Sequence, residues 1–353
     1  MRYLGLKIGL FTAVPFFGLQ AADVAVYFQA PWPDGGAYPP LAVAAFELME
    51  DLNYEVEYID AADVNANRLG EYRMLFFPGG WAGGYNDFIS ETGKQNIRDF
   101  VSSGGSYMGM CAGSFFISER VFWREGPGED TEQNIYNTRA GYTLDMWNGV
   151  SDGAIFDFQP WNTSAIGCNL FPGARMVDLT IDQELVPEAE ASVNVLYWGG
   201  PIYRPPGGKW SNEKIIARYD MDGFSGHEEP AIVTFPYGEG RILMSAVHPE
   251  LSINESTCEF FDDDEPIVGA RVFLSHLVQR MMVPVEKPEL AAVSGVRLLT
   301  FETLLGMRYQ VQSSVNGSDW TDYGEVVAAD SFDYLIEIPV ADSELQFRIT
   351  MID

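Results

Sequence analysis

Three short stretches hold residue types at spacings that could do covalent chemistry. The first is GGSYMGMCAGSFF, residues 104–116, where an apolar run ends at Met110, Cys111 follows and an apolar helical stretch begins at once. Gly109 and Gly113 complete a Gly-x-Cys-x-Gly pattern. That is the cysteine form of a nucleophile elbow, a sharp turn that lifts the side chain above the C-terminal edge of a sheet. Small residues two before and two after the cysteine let neighbouring backbone pack against the turn. The helix that follows points its first amides at the sulfur, which favours a nucleophile. A free cysteine is also often a small buried hydrophobe, so the assignment leans on the other two stretches.

The second stretch is GEGRILMSAVHPE, residues 238–250, in which a strand pattern runs into His248-Pro249-Glu250. A strand delivers His248 to the same sheet edge as Cys111. There the imidazole could take the thiol proton, while Glu250 holds its other nitrogen. A lone histidine at a strand end is usually structural, but here it comes with a carboxylate and an elbow cysteine in order. The third stretch is PGGWAGGY, residues 78–85, directly after a strand pattern. Backbone amides of Gly79 or Gly80, with that of Ala112, would form an oxyanion hole; the plain alternative is a flexible turn. Trp81, Tyr85, Phe115, Trp198 and Tyr203 are candidate pocket residues, with ordinary aromatic packing as their alternative reading.

The elements around these stretches alternate. Residues 23–28, 55–59, 74–77 and 106–110 read as strands, with helical patterns at 41–52 and 92–102 between them. Strands alternating with helices predict a parallel sheet covered on both faces. Residues 123–190 are irregular and read as an insertion with peripheral strands. Strand patterns resume at 193–198, 214–219, 231–235 and 241–247, and an apolar helix covers 266–282. Residues 284–295 read as a linker. Short alternating strands then fill 296–353, a small β-sandwich pattern with Trp320 in its core. The fold class expected is α/β, a flavodoxin-like doubly wound, mostly parallel sheet in 22–283, followed by this small all-β domain.

The 353 residues are 47% hydrophobic and 20% charged, which excludes a mostly disordered chain. The formal net charge of −30 repels phosphates, so nucleic acid and anionic lipid are disfavoured partners. Residues 1–21 carry Arg2 and Lys7 before an apolar run and small residues, the anatomy of a secretory signal peptide. An ordinary first element or an uncleaved anchor is the alternative. The expectation is a periplasmic or extracellular protein, off the membrane after cleavage. In an oxidising compartment three cysteines leave one unpaired. With Cys111 kept free as nucleophile, Cys168 and Cys258 are expected to pair.

The stretch from about residue 23 to 282 resembles the class I glutamine amidotransferase-like superfamily. FPGGWAGGY, GGSYMGMCAGSFF, LYWGGPIY and GRILMSAVHPE look most like the domain called biotin-protein ligase N-terminal. The resemblance implies that Cys111, His248 and Glu250 form a triad and that Gly79 and Gly80 form the oxyanion strand. Glutamine-using relatives carry Gln where this chain has Phe115, so the resemblance implies an acyl substrate other than free glutamine. Nothing resembles a biotin ligase catalytic domain. The stretch YQVQSSVNGSDWTDYG, residues 309–324, resembles a fibronectin-type-III-like module.

The function expected is an exported cysteine-dependent hydrolase or amidase acting on a carboxamide or related acyl group of a small or peptide-like substrate, without cofactor or metal. The alternatives are a non-catalytic binding protein on the same fold and a DJ-1-like redox or aldehyde-handling protein, which would need Asp34 beside the cysteine. Asp220 and Asp222, or the acidic run 262–265, could hold calcium but read as solvated faces. His227 and His276 lack partners at zinc-ligand spacing.

Overall fold

The computed structural model describes residues 22–31, 34–123, 143–155, 157, 173–254, 259–261, 267–282, 289–293, 296–302, 308–315, 319–324, 326–328, 333–339 and 345–352. Residues 1–21, read above as a signal peptide, Cys168 and Cys258, expected to pair, and the acidic run 262–265 lie outside the described residues.

In chain order the elements are β1 (Val24–Tyr27), α1 (Pro39–Asp51), β2 (Val56–Ile59), α2 (Ala61–Asn65), β3 (Met74–Phe77), α3 (Ala82–Phe88), α4 (Glu91–Ser102), β4 (Ser106–Met110) and α5 (Ala112–Ile117). There follow β5 (Ser118–Trp123), β6 (Trp147–Gly153), β7 (Ala174–Ile181), β8 (Ser192–Trp198), β9 (Ile202–Arg204), β10 (Lys214–Asp220), β11 (Pro230–Tyr237) and β12 (Gly240–Ser245). Next come β13 (Ser252–Asn254), β14 (Glu259–Phe261) and α6 (Ile267–Met282). The remaining strands are β15 (Glu289–Val293), β16 (Val296–Glu302), β17 (Arg308–Ser314), β18 (Thr321–Asp322), β19 (Val327–Ala328), β20 (Asp333–Pro339) and β21 (Gln346–Ile352).

Nine strands form one sheet in the order β2-β1-β3-β4-β12-β11-β10-β7-β8. The first five are parallel. From β12 onward every pairing is antiparallel. The sheet is therefore mixed rather than mostly parallel. The parallel half follows from sequence: VAVY in β1 and MLFF in β3 are buried at every position, as strands covered on both faces must be. Toward the antiparallel edge β7 is buried at one residue in two or three.

Local signals start the helices. Pro39 opens α1, where a missing N–H costs nothing. The Gly93 amide donates to the Ser90 hydroxyl at the start of α4, 3.1 Å away. Asp60 and Asp63 form a capping box on α2. An Arg271–Asp51 ion pair of 2.8 Å joins α6 to α1, and Asn96 donates to the Val64 carbonyl to join α4 to α2.

The sheet does not stay open. Strand β8, last in the order, packs on α6, which itself packs on β4 and β12. Leu196 of β8 forms an antiparallel bridge with His248. The far edge has rolled back over the C-terminal end of β12, and Leu41, Ala44, Ala174, Leu196, Leu251 and Ile253 form a small apolar cluster beneath the roll. Strands β15 to β21 pair only among themselves within the described residues, and β15 falls inside the stretch read as a linker.

Candidate functional site

Strands β3, β4 and β12 are adjacent and parallel, so their C-terminal ends open on one edge of the sheet. Ligands of open α/β sheets gather at that edge. Pro78-Gly79-Gly80 follows β3, Cys111 follows β4, and His248 stands three residues beyond β12.

Cys111 turns the chain at φ 44°, ψ −101°, a backbone state rarely held by a non-glycine residue. Its amide donates to the Ser245 carbonyl at 2.7 Å, which ties the elbow to the end of β12. The expected packing of the flanking glycines is present. A Cβ on Gly109 would lie 2.6 Å from the Gly113 backbone, and one on Gly113 would lie 2.2 Å from the Phe77 carbonyl oxygen. The helix after the cysteine, α5, has only six residues, so its dipole adds little at the sulfur.

His248 and Glu250 are both buried, with Nδ1 of the histidine 3.1 Å from Oε1 of the glutamate. Burial alone would push the imidazolium to lower pKa. The Glu250 carboxylate and the nearby Cys111 side chain outweigh burial and raise it to about 10. His248 is therefore an imidazolium at neutral pH, with Nδ1–H donating to Glu250. Among the described residues its Nε2 has no hydrogen-bond partner, and the ring lies beside the Cys111 side chain. Oε2 of Glu250 and the Ser252 hydroxyl are also buried without a partner among the described residues.

The backbone amides of Gly79, Gly80 and Ala112 donate to no described residue. They border the same corner as the sulfur. The turn carrying the first two is held from outside, since Tyr38 donates to the Gly79 carbonyl at 2.8 Å and Trp81 to the Gly36 carbonyl at 2.7 Å.

The aromatic candidates divide. Trp198 is half-buried, packs edge-on against Tyr38 at 5.4 Å, and its carbonyl oxygen accepts from Sγ of Cys111 at 3.5 Å. Trp81 is 41% exposed beside the glycine turn. Phe115 is buried with its ring against Gly153. Tyr85 and Tyr203 are fully covered core residues, the latter edge-on to Trp147. Sequence reasoning missed Tyr38, at the start of α1, and the Trp198 carbonyl, which arrives with the rolled edge of the sheet.

Asp220, Asp222 and His227 cluster in space, but His227 has work for both nitrogens. Nδ1 accepts from the Met221 amide at 3.1 Å, and Nε2 faces Asp222 at 3.2 Å. Asp34 is exposed, and its backbone carbonyl lies against Gly84. His276 is half-buried on α6. No helix among the described residues is long and apolar enough to cross a membrane.

Residues 41–269, which contain Cys111, His248 and Glu250, match the family model described as biotin-protein ligase, N terminal. The chain belongs to that family. Over 204 residues it is 27% identical to a biotin–protein ligase of Schizosaccharomyces pombe, an alignment covering 58% of this chain and 30% of the relative. It is also 24% identical over 179 residues to an uncharacterized protein of Chlamydia muridarum, 50% of this chain and 60% of that one. This biotin-protein ligase N-terminal family member thus spans less than two thirds of the length of either relative. A β-galactosidase from Bacillus circulans sp. alkalophilus superposes with a TM-score of 0.42 at 10% identity, covering 95% of this chain and 42% of that one. A likeness that faint says nothing about chemistry.

These findings correct the expected function. The matching family model and the Schizosaccharomyces pombe relative are both named for a biotin–protein ligase, so the reading as a Cys-His-Glu hydrolase or amidase is withdrawn. An elbow cysteine with an imidazole neighbour is compatible with attack on an acyl carbon, but it carries no information on the reaction that the whole protein performs.

Proposed function

We propose that the chain is an acyl-transfer domain working in the direction of ligation. Cys111 accepts an acyl group from an activated donor, an acyl–phosphate mixed anhydride, and passes it to an amine of a protein. The carrying observation is that the family segment 41–269 encloses a buried, amide-bordered Cys111 beside the His248–Glu250 pair. The relative named for joining biotin to protein supplies the candidate acyl group and acceptor class.

In the first step the sulfur attacks the acyl carbon and a C–S bond forms. The negative charge that builds on the carbonyl oxygen meets the amides of Gly79, Gly80 and Ala112. The C–O bond to phosphate then breaks, and the phosphate leaves with the electron pair and with the proton that the thiol has shed. In the second step the acceptor amine attacks the thioester, a C–N bond forms and the C–S bond breaks. As the C–S bond breaks, the His248 imidazolium gives its proton to the departing sulfur, and the neutral ring then takes the proton shed by the new amide nitrogen, with Glu250 holding the ring in place. The net charge of −30 favours a cationic lysine as acceptor.

The same reading extends to the fold. The order β2-β1-β3-β4-β12 supports a flavodoxin-like sheet within the glutamine amidotransferase-like superfamily. The separate pairing of β15 to β21 supports a small fibronectin-type-III-like module after the main domain.

The test uses the full chain with biotinyl-adenylate. A hydroxylamine-sensitive biotinyl adduct on Cys111, missing from Cys111→Ala and discharged onto a lysine-rich protein, is the expected result. Absence of the adduct at millimolar donor, or discharge to water alone, overturns the proposal.

A further inference from the structure

Two buried tyrosines rise from the core to the two turns that frame Cys111. Tyr85 on α3 donates its hydroxyl to the Pro78 carbonyl at 2.7 Å, and Tyr107 on β4 donates to the Gly113 carbonyl at 3.0 Å. Their rings cannot wander. Tyr27, Phe77 and Tyr107 stack at 4.8 and 5.0 Å, and Tyr85 stands edge-on to Tyr27 at 5.1 Å and to Phe77 at 5.4 Å. Burial pushes both phenols well above their usual pKa, so both stay O–H donors. The Pro78 carbonyl has one other described donor, the Gly113 amide at a long 3.3 Å. Pro78 is the residue from which the Gly79 and Gly80 amides hang, and Gly113 belongs to the turn that carries Cys111 and Ala112.

We propose that Tyr85 is a positioning residue for acyl transfer: its hydroxyl holds the Pro78 carbonyl so that the Gly79 and Gly80 amides face the oxygen of an acyl group on Cys111. Tyr107 does the same from the elbow side through Gly113. This rests on the acyl-transfer reading above. Tyr85 touches no reacting atom and acts only through the turn.

A pair of reactions at the same sulfur separates aim from mere stability. Iodoacetamide alkylates Cys111 by displacing iodide from a saturated carbon, builds no oxyanion and needs neither amide. A p-nitrophenyl ester acylates it through a tetrahedral oxyanion: the C–S bond forms and nitrophenolate leaves with the electron pair. In the full chain, Tyr85→Phe is expected to slow the nitrophenolate burst roughly tenfold, less than the about 100-fold loss that follows removal of a direct oxyanion donor. Alkylation should keep its rate, and the burst should lose its maximal rate constant rather than its half-saturating ester concentration. Tyr107→Phe should act in the same direction. An unchanged burst in Tyr85→Phe overturns the inference, as does an equal fall in burst and alkylation, which marks a purely structural residue. A wild-type chain that is alkylated at Cys111 but never acylated overturns the acyl-transfer reading, and the inference with it.

Discussion

A Cβ on Gly79 would stand 2.2 Å from Cε1 of His248 and 2.9 Å from its Nδ1, so the imidazole occupies the space of any side chain at position 79. The glycine therefore makes room for the ring. Gly79→Ala should push the ring off Glu250 or shift the turn. Overpacking of this kind costs about 1–3 kcal/mol. A lower denaturant midpoint together with slower alkylation of Cys111 is the expected result. Wild-type values for both would show that the ring moves aside freely.

The His248–Glu250 pair makes stability depend on pH with a definite sign. His248 is raised from 6.5 to about 10 in the folded chain, so its contribution is full below pH 6.5 and is lost as pH climbs toward 10. Glu250→Gln removes the raising charge and leaves burial, which favours the neutral ring. The difference in unfolding free energy between wild type and Glu250→Gln should therefore shrink steadily from pH 6.5 to 10. A difference that stays constant over that range would mean the ring carries no charge at neutral pH.

His248 also faces the sulfur, which gives a kinetic prediction independent of any acyl donor. His248→Ala should slow iodoacetamide labelling of Cys111 at pH 7 by roughly tenfold, equivalent to about 1.4 kcal/mol. Peptide mapping of the labelled chain measures this. Equal rates would leave Cys111 as a buried thiol unassisted by its neighbour.

Cys111 holds φ 44° in a conformation natural only to glycine. Strained backbone of this kind costs of order 1–3 kcal/mol and is tolerated where function requires it. Cys111→Gly should abolish acylation while raising unfolding free energy by about 1 kcal/mol, whereas Cys111→Ala should bring no such gain. Thermal unfolding of the two variants side by side decides it; a glycine variant no more stable than the alanine variant would mean the turn is unstrained.

Much of the parallel half of the sheet was legible because its signals are local. VAVY and MLFF read as doubly covered strands, the strands expected at 214–219 and 231–235 lie within β10 and β11, and the one expected at 241–247 runs two residues past the end of β12. The direction of those strands was not legible. A buried alternating strand reads the same whether its neighbour runs parallel or antiparallel, which is why a mostly parallel sheet was expected and a mixed one found.

The amino-acid sequence by itself determined that Cys111 sits in an elbow and that Glu250 follows His248 at a spacing that lets the two side chains meet. Both depend on short-range geometry: glycines two residues either side of a turn, and a proline between partners. The tertiary structure alone decided what surrounds the sulfur. Trp198 is 87 residues from Cys111 along the chain, yet its carbonyl lies 3.5 Å from Sγ because the sheet rolls until β8 meets the end of β12. The roll follows from the accumulated twist of nine strands and from burying the apolar cluster around Leu196, sums over many residues that no single motif records. Tyr85 shows the same division. Within PGGWAGGY it is one more aromatic beside glycines, and only the packed core turns its hydroxyl onto Pro78.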